Sequence, residues 1–142
     1  MPVKQVEFTS IEQKVTKTGK SALDLLASDS GKAYVISITR DGCSDCARQK
    51  PKMDRLAESF AEKHGGNVSF VRVHVKFSLK DNRESLRSKD VFGHYFYPTT
   101  LVLIKPRDRG AFEYYRSVSS TMEELRRNIE KAVKTASLLA KS

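Results

Sequence analysis

Apolar and polar positions alternate along several short stretches of the chain, and this pattern predicts β-strands. The runs AYVISIT and TTLVLI are compact and rich in β-branched residues, as buried strands are, whereas VSFVRVHV alternates apolar with polar or basic residues. A turn rich in Pro, Asp and Gly follows TTLVLI, so the next apolar stretch is predicted to return as a hairpin strand. The predicted strands are one edge strand within 3–15, then 33–39, 68–75, 99–104 and 111–118.

Apolar residues at helical spacing predict helices between and after these strands. Ser21 is suited to cap a short leucine-rich helix, and residues 81–90 predict a weaker one. A longer helix follows the two cysteines and stops at His64-Gly65-Gly66, where glycine favours a helix end. The chain closes with an amphipathic helix capped by Ser120 or Thr121.

The order of these elements predicts an α/β fold. A strand, the cysteine-bearing helix and the next strand form a βαβ unit, which crosses over right-handedly. The final hairpin adds antiparallel strands, so we expect a mixed central sheet with helices on both faces, a three-layer arrangement. The sequence has no internal repeat, low-complexity tract or linker, and 142 residues is the usual size of one domain. We therefore predict a single domain over 1–142.

The composition of the chain indicates its cellular location and whether it associates with membranes. Apolar residues make up 39% of the chain and charged residues 30%, and no apolar stretch approaches the roughly 20 residues that cross a bilayer. The first residues, MPVKQVEFTSIEQK, contain no apolar signal-peptide core. Two cysteines are too few for the disulfide framework of a small secreted protein. These features predict a globular cytoplasmic protein that does not associate with membranes.

The chain is strongly basic, with a net charge of +9 and an isoelectric point near 9.7. That charge favours acidic partners, including an acidic protein surface. The densest basic stretches, 76–89 and 105–110, are diluted by acidic residues and lack the interleaved aromatics of a nucleic-acid stacking surface. We therefore expect no specific nucleic-acid binding, only weak association that falls steeply as salt rises.

The segment DGCSDCARQKP holds both cysteines of the chain, Cys43 and Cys46, at the start of a predicted helix. Spacing i, i+3 places both sulfurs on one side of the first turn, where backbone N–H groups stabilise a thiolate, the nucleophilic form. Arg40 and Arg48 add positive charge, whereas Asp45 opposes them. A C-x-x-C pair that begins a helix after a buried strand favours redox activity.

Three other interpretations of the pair remain open. A zinc site needs about four ligands, and His64, His74 and His94 show no ligand spacing, so we predict neither a metal nor another cofactor. His74 is expected on a solvent-facing strand position. The two cysteines can also be inert core residues or form a purely structural disulfide.

Together with its surroundings, this motif resembles that of the thioredoxin family. Cys43-Ser44-Asp45-Cys46 matches the family's C-x-x-C, and Pro51 matches the proline inside its helix. FGHYFYPTTLVLI resembles the segment that leads through a cis-proline, here Pro98, into a core strand. The resemblance covers about residues 22–135 and leaves 1–20 as an N-terminal extension.

The resemblance implies a thiol–disulfide oxidoreductase and assigns roles to individual residues. Cys43 would attack a substrate disulfide and Cys46 would resolve the mixed disulfide. Gly42, Tyr97 and Pro98 would contact the substrate, with Pro98 preceded by a cis peptide bond and facing Cys43. Partners would be proteins with disulfides and a thiol reductase or another electron donor.

Several departures from the family indicate a divergent member with its own partner. Gly42 replaces the usual tryptophan before the first cysteine, and Ser37 replaces a buried carboxylate that handles the proton of the second cysteine. Without that carboxylate, Cys46 would rely on water or Asp45. Arg72 occupies the place of a neighbouring lysine. Further departures are Phe96 and Val118 in place of glycines, the latter crowding the substrate groove, and added length at 76–90.

Two functions from different classes therefore remain. One is an enzyme that reduces or exchanges protein disulfides through Cys43 and Cys46. The other is a binding module of the same fold, whose basic surface docks a partner and whose disulfide is structural or regulatory. Reversible reduction of a protein disulfide separates the two.

Overall fold

A computed structural model describes residues 2–141 and shows a five-stranded sheet. Its order is β1-β3-β2-β4-β5, in which β1, β3 and β2 are parallel, β4 is antiparallel to β2, and β5 is antiparallel to β4. The predicted mixed sheet is therefore confirmed. The strands are β1 Val3–Glu7, β2 Ala33–Arg40, β3 Val68–Val75, β4 Thr99–Ile104 and β5 Phe112–Ser117.

Five α-helices connect and cover these strands, and their ends follow the capping residues in the sequence. Ser21 caps the second helix by accepting a hydrogen bond from the Asp24 N–H, and Thr121 caps the last by accepting one from Glu124. Within residues 2–141, none of the helices combines the length and the apolar character needed to cross a membrane. The helices are α1 Phe8–Thr18, α2 Ala22–Leu26, α3 Ser44–His64, α4 Arg83–Phe92 and α5 Met122–Lys141.

Each face of the sheet carries its own hydrophobic core. On one face α3 and α5 pack through Phe60 and Ile129, both essentially inaccessible to solvent. On the other face α1 and α4 contribute Phe8 and Phe92, which pack against Ile36 of β2. Helices thus cover both faces, which confirms the predicted three-layer α/β arrangement.

The edge strand predicted within 3–15 is confirmed as β1, and the helix that follows it was not predicted. Only Val3–Glu7 is extended, pairing with β3, and Phe8 begins α1 without an intervening turn. Phe8, Ile11 and Val15 follow the three- and four-residue spacing of a helix and meet the second core. The segment expected to form an extension therefore supplies an edge strand and a buried helix face.

A polar region interrupts the first core where the sheet meets the start of α3. Side chains alternate across a strand, so Val35 and Ser37 of β2 point to the same face. Val35 lies in the apolar core, whereas Ser37 pairs in register with Arg72 of β3 and Thr100 of β4. These polar side chains lie beside the first turns of α3, and the cysteines lie there too.

Candidate disulfide site

Cys43 and Cys46 form a disulfide at the N-terminus of α3, with their Cα atoms 5.2 Å apart. Cys43 is the N-cap residue, and its Sγ accepts a hydrogen bond from the Cys46 backbone N–H at 3.1 Å. Cys43 is partly exposed and Cys46 is 7% exposed. A thiol or disulfide from another molecule would therefore reach Cys43 first. The Sγ that it reaches already accepts a hydrogen bond from a backbone N–H of the helix.

The Tyr97–Pro98 peptide bond is cis, as the sequence predicted. The carbonyl oxygen of Tyr97 lies 3.6 Å from the Sγ of Cys43. The two segments are 54 residues apart in sequence and meet only through the fold. This contact places the backbone before Pro98 directly against the partly exposed cysteine.

Gly42 adopts a left-handed backbone conformation with φ +67°. Residues with a side chain rarely adopt this conformation, which costs glycine nothing. Space is not the limit, because a Cβ at position 42 would lie 3.9 Å from its nearest neighbour, the Nη1 of Arg40. The backbone turn therefore accounts for glycine at this position, and its contact with substrate stays a prediction.

Arg40 is fixed beside the disulfide by two aromatic rings. Its guanidinium carbon lies 3.9 Å from the ring centroid of Phe77 and 5.6 Å from that of Tyr97, and Nη1 donates to the Asp41 carbonyl at 2.9 Å. Arg40 and Cys43 line the same depression of about 570 Å³. A positive charge is thus held in the same depression as the partly exposed Cys43, and its effect on the sulfur stays a prediction.

Asp45 and Arg48, expected to act separately on Cys43, instead pair with each other. Their side chains form an i, i+3 ion pair on the first turns of α3, and both are more than half exposed. The opposite charges therefore largely cancel at the sulfur. The helix N-terminus and Arg40 remain as the groups that favour a Cys43 thiolate.

A neutral hydrogen-bond chain occupies the position of the family's buried carboxylate. Ser37, 2% exposed, donates to the Oε1 of Gln49 at 2.8 Å, and the Nε2 of Gln49 donates to the Oγ1 of Thr100 at 3.4 Å. Gln49 was missed in the sequence, although its position three residues after Cys46 places it on the same face of α3. The region where β2 and β4 meet the first turns of α3 thus contains an amide and two hydroxyls, next to the buried Arg72.

Arg72 lies next to Ser37 in the sheet, as predicted, and is 8% exposed. Its Nη2 donates to the Oδ1 of Asp54 on α3 at 2.9 Å. Asp54 was not recognised in the sequence as a site residue. Because an unpaired buried charge is costly, this pair is needed to keep Arg72 inside the fold.

His74 bridges two carboxylates at the end of β3 and is half-buried, so the predicted solvent-facing position was wrong. Its Nδ1 lies 2.9 Å from Glu7 Oε2 and its Nε2 lies 2.7 Å from Asp41 Oδ1, while Asp41 Oδ2 accepts from the Phe77 N–H. Burial lowers the pKa of His74, but the bonds to Asp41 and Glu7 outweigh it, so the pKa is raised. The hydrogen bond from His74 lowers the pKa of Asp41.

These shifts predict a pH-dependent contribution of His74 to stability. A raised folded-state pKa stabilises fully below the unfolded value of about 6.5, and the contribution disappears as pH rises through the folded value. Asp41 contributes above about pH 4 and loses this contribution as pH falls. We expect His74→Asn to lower the free energy of unfolding by roughly 0.5–1 kcal/mol at pH 5.5, because the two carboxylates are partly exposed.

The measurement is urea unfolding of wild type and His74→Asn at pH 5.5 and pH 8.5. The difference between the two proteins should shrink clearly at the higher pH. An equal difference at both values would show that His74 acts by packing alone.

A buried polar cluster supports the loop before Pro98. His94, 2% exposed, donates from Nδ1 to the Phe96 carbonyl at 3.2 Å and accepts at Nε2 from the Ser88 hydroxyl at 2.7 Å. The Tyr97 hydroxyl bonds that of Ser85 at 3.0 Å. Burial lowers the pKa of His94, consistent with a neutral ring. The cluster anchors the loop that brings the Tyr97 carbonyl to Cys43.

A groove of about 540 Å³ runs from the start of α3 past Pro98 to the β5–α5 connection. Phe96, 64% exposed, and Val118, 50% exposed, form apolar walls, and Arg48 and Lys52 line the α3 side. Val118 thus lines the groove that the sequence analysis expected it to crowd. Whether substrate occupies this groove, in contact with Tyr97 and Pro98, stays a prediction.

Comparison with known proteins identifies the fold. No family model matches the chain, and no curated protein matches it. Among solved structures, the Trx4 domain of ERdj5 superposes with a TM-score of 0.64 at 14% identity, over 95% of this chain and 98% of that one. Thioredoxin NaTrxh from Nicotiana alata gives 0.57 at 20% identity, over 92% of each chain. Thioredoxin f2, solved in complex with ferredoxin:thioredoxin reductase, gives 0.58 at 17%, over 92% of this chain and 94% of that one.

These similarities establish the class of structure to which the chain belongs. The chain has the thioredoxin fold over nearly its whole length, as the resemblance in the sequence implied. Within that fold it carries a Cys-Ser-Asp-Cys disulfide at the start of α3, opposite a cis-proline.

Proposed function

We propose that the protein is a thiol–disulfide oxidoreductase that reduces or exchanges disulfides in other proteins. The observation that carries the proposal is the position of the disulfide. Cys43 caps α3, accepts the Cys46 N–H and is partly exposed opposite Pro98, while Cys46 is buried. This asymmetry supports separate roles for an attacking and a resolving cysteine.

In the proposed reaction the reduced pair donates two electrons to a substrate disulfide. The Cys43 thiolate attacks one substrate sulfur, an S–S bond forms between protein and substrate, and the other substrate sulfur leaves as a thiolate. Cys46 then loses its proton and attacks Cys43 Sγ. The bond between Cys43 and the substrate breaks, the substrate sulfur that Cys43 attacked first leaves as a thiolate, and the Cys43–Cys46 disulfide remains. With Asp45 bound to Arg48, water is the acceptor that we assign to the Cys46 proton.

The oxidised protein must be reduced again, so we propose a thiol reductase or another dithiol donor as its second partner. The complex of thioredoxin f2 with ferredoxin:thioredoxin reductase is an example of such a pairing in a similar structure. Both cysteines of the chain lie in one motif, which suits a reducing compartment. We therefore propose a cytoplasmic location and the reductase direction.

The alternative is a binding module whose disulfide is structural or regulatory. The neutral Ser37–Gln49 pair favours it, because Ser37 supplies a hydroxyl where the resemblance implies a carboxylate that accepts the proton of Cys46.

Reduction of insulin by dithiothreitol, with and without the protein, separates the two functions. We expect wild type to accelerate the precipitation of insulin B chains at substoichiometric concentration. The matched control is the double variant Cys43→Ser/Cys46→Ser, which should give the uncatalysed rate. Equal rates for wild type and the double variant would support the binding module.

A further inference from the structure

The segment after β3 forms a hydrogen-bonded turn. The Ser78 N–H donates to the Asp81 carbonyl at 3.0 Å, and the Asp81 N–H donates to the Ser78 carbonyl at 3.2 Å. The Asp81 carboxylate accepts from the Arg83 N–H, Nε and Nη2. The turn is therefore braced on both sides and joined to the start of α4.

At the tip of this turn an apolar side chain stands among basic ones. Leu79 is 99% exposed, and the neighbouring Lys80 is exposed as well. A single exposed leucine needs no explanation by itself. Here, however, the backbone around Leu79 is already hydrogen-bonded within the turn. Binding of a partner would therefore cost little conformational entropy, which is a loss that weakens binding through unstructured loops.

The charge around Leu79 is predominantly positive. Residues 76–89 contain five basic residues against two acidic ones. One of the two acids, Asp81, already binds Arg83, and Arg87 binds Glu12 from α1. The exposed side chains of Lys76 and Lys80 flank the tip, so the surface complements an acidic partner.

The turn is attached directly to the loop that carries the disulfide. The Phe77 N–H donates to the Asp41 carboxylate at 3.1 Å, and the Phe77 ring lies under the Arg40 guanidinium. Asp41 is two residues before Cys43. The depression behind the turn shares no lining residue with the groove of Phe96 and Val118, so the turn forms a separate surface.

We propose that the turn 76–81 is a docking arm for an acidic protein surface that presents its disulfide to Cys43. Leu79 makes the apolar contact, and Lys76 and Lys80 supply the complementary charge. This inference rests on the proposed oxidoreductase function and adds the class of substrate. It also gives a role to the added length at 76–90.

Two synthetic disulfide peptides serve as probes. Both contain the same cystine ring and differ only in an eight-residue tail, which alternates Leu with Glu in one and Leu with Lys in the other. Such a tail spans about 27 Å when extended, so it can reach the turn from Cys43. The measurement is kcat/KM for each peptide at low and high salt.

The test variant is Leu79→Ser/Lys80→Glu. We expect wild type to prefer the acidic peptide by about tenfold at low salt, and the variant to lose most of that preference. High salt should weaken the wild-type preference, because exposed charges are screened. Turnover of the basic peptide should not fall.

The matched control is Leu138→Ser/Lys134→Glu on α5, which makes the same change at another exposed leucine. Ala140 of the same helix lies near Gly31, since a Cβ built on that glycine would be 3.2 Å from the Ala140 Cβ. Gly31 precedes β2 whereas Cys43 follows it, so the control lies at the other end of the sheet. It should keep the wild-type preference.

The outcomes separate the two proposals. If wild type reduces both peptides equally well and the test variant changes nothing, the docking arm is wrong and the oxidoreductase stands. If wild type reduces neither peptide nor insulin, the oxidoreductase fails and the docking arm fails with it. Inhibition of the wild type, but not the test variant, by single-stranded oligo(dT) that persists at high salt would also overturn the choice of a protein partner.

Discussion

Cys46→Ser is expected to accumulate a stable mixed disulfide with insulin, whereas Cys43→Ser is expected to form almost none. The partly exposed Cys43 can be reached by a protein disulfide, and the buried Cys46 cannot. Without Cys46 the intermediate has no intramolecular route to resolution. Non-reducing electrophoresis followed by mass spectrometry of the adduct measures both results. Equal trapping by the two variants would remove the assigned order of attack.

The same assignment predicts how reduced Cys43 responds to pH. The Cys46 N–H contacts its sulfur, Arg40 lies nearby, and the charge of Asp45 is offset by Arg48. We therefore expect Cys43 to be alkylated well below pH 8, since the unperturbed pKa of a cysteine is about 8.5. Rates of iodoacetamide modification between pH 5 and 10, followed on Cys46→Ser, give the titration. A curve centred on the unperturbed value would contradict thiolate stabilisation by the helix.

Phe8→Ala is expected to lower the free energy of unfolding by about 3–5 kcal/mol, the usual loss for a buried phenylalanine. Phe8 is completely buried and packs edge-on against Phe92 of α4, with ring centroids 6.1 Å apart. Urea unfolding measures the change. The control, Phe96→Ala, removes an exposed ring and should stay within about 0.5 kcal/mol of wild type. Similar stabilities for both variants would make residues 1–20 a dispensable extension.

The sequence predicted those elements whose pattern is long or clearly bounded. β2 and β4 are compact apolar runs, β3 alternates apolar and polar residues, and α5 begins at a recognisable cap, so their positions were found. In the first twenty residues the edge strand was predicted but α1 was not, because a five-residue strand passes into the helix with no turn residue between them. The two-residue period of the strand and the 3.6-residue period of the helix then overlap in one short stretch, where the apolar pattern resembles a weak alternation.

The residues of the candidate site also fall into those that the sequence predicted and those that it did not. The cysteine pair and the cis bond before Pro98 were predictable because contiguous motifs carry them. Gln49 and Asp54 were not found, since their importance depends on which polar strand residues α3 covers. The bridge from His74 to Glu7 joins residues 67 positions apart, and only the strand register brings them together.

The uncharged hydrogen bonds among Ser37, Gln49 and Thr100 also affect the balance between the stability of this protein and the rate of its reaction. An ionised carboxylate in such a position costs a protein several kcal/mol of desolvation, which many active sites accept in exchange for rate. Here Ser37, Gln49 and Thr100 satisfy one another without a formal charge, and the neighbouring buried charge of Arg72 is paired with Asp54. This part of the site therefore adds no stability–activity conflict, and proton removal from the buried thiol is the step where the corresponding loss in rate would fall.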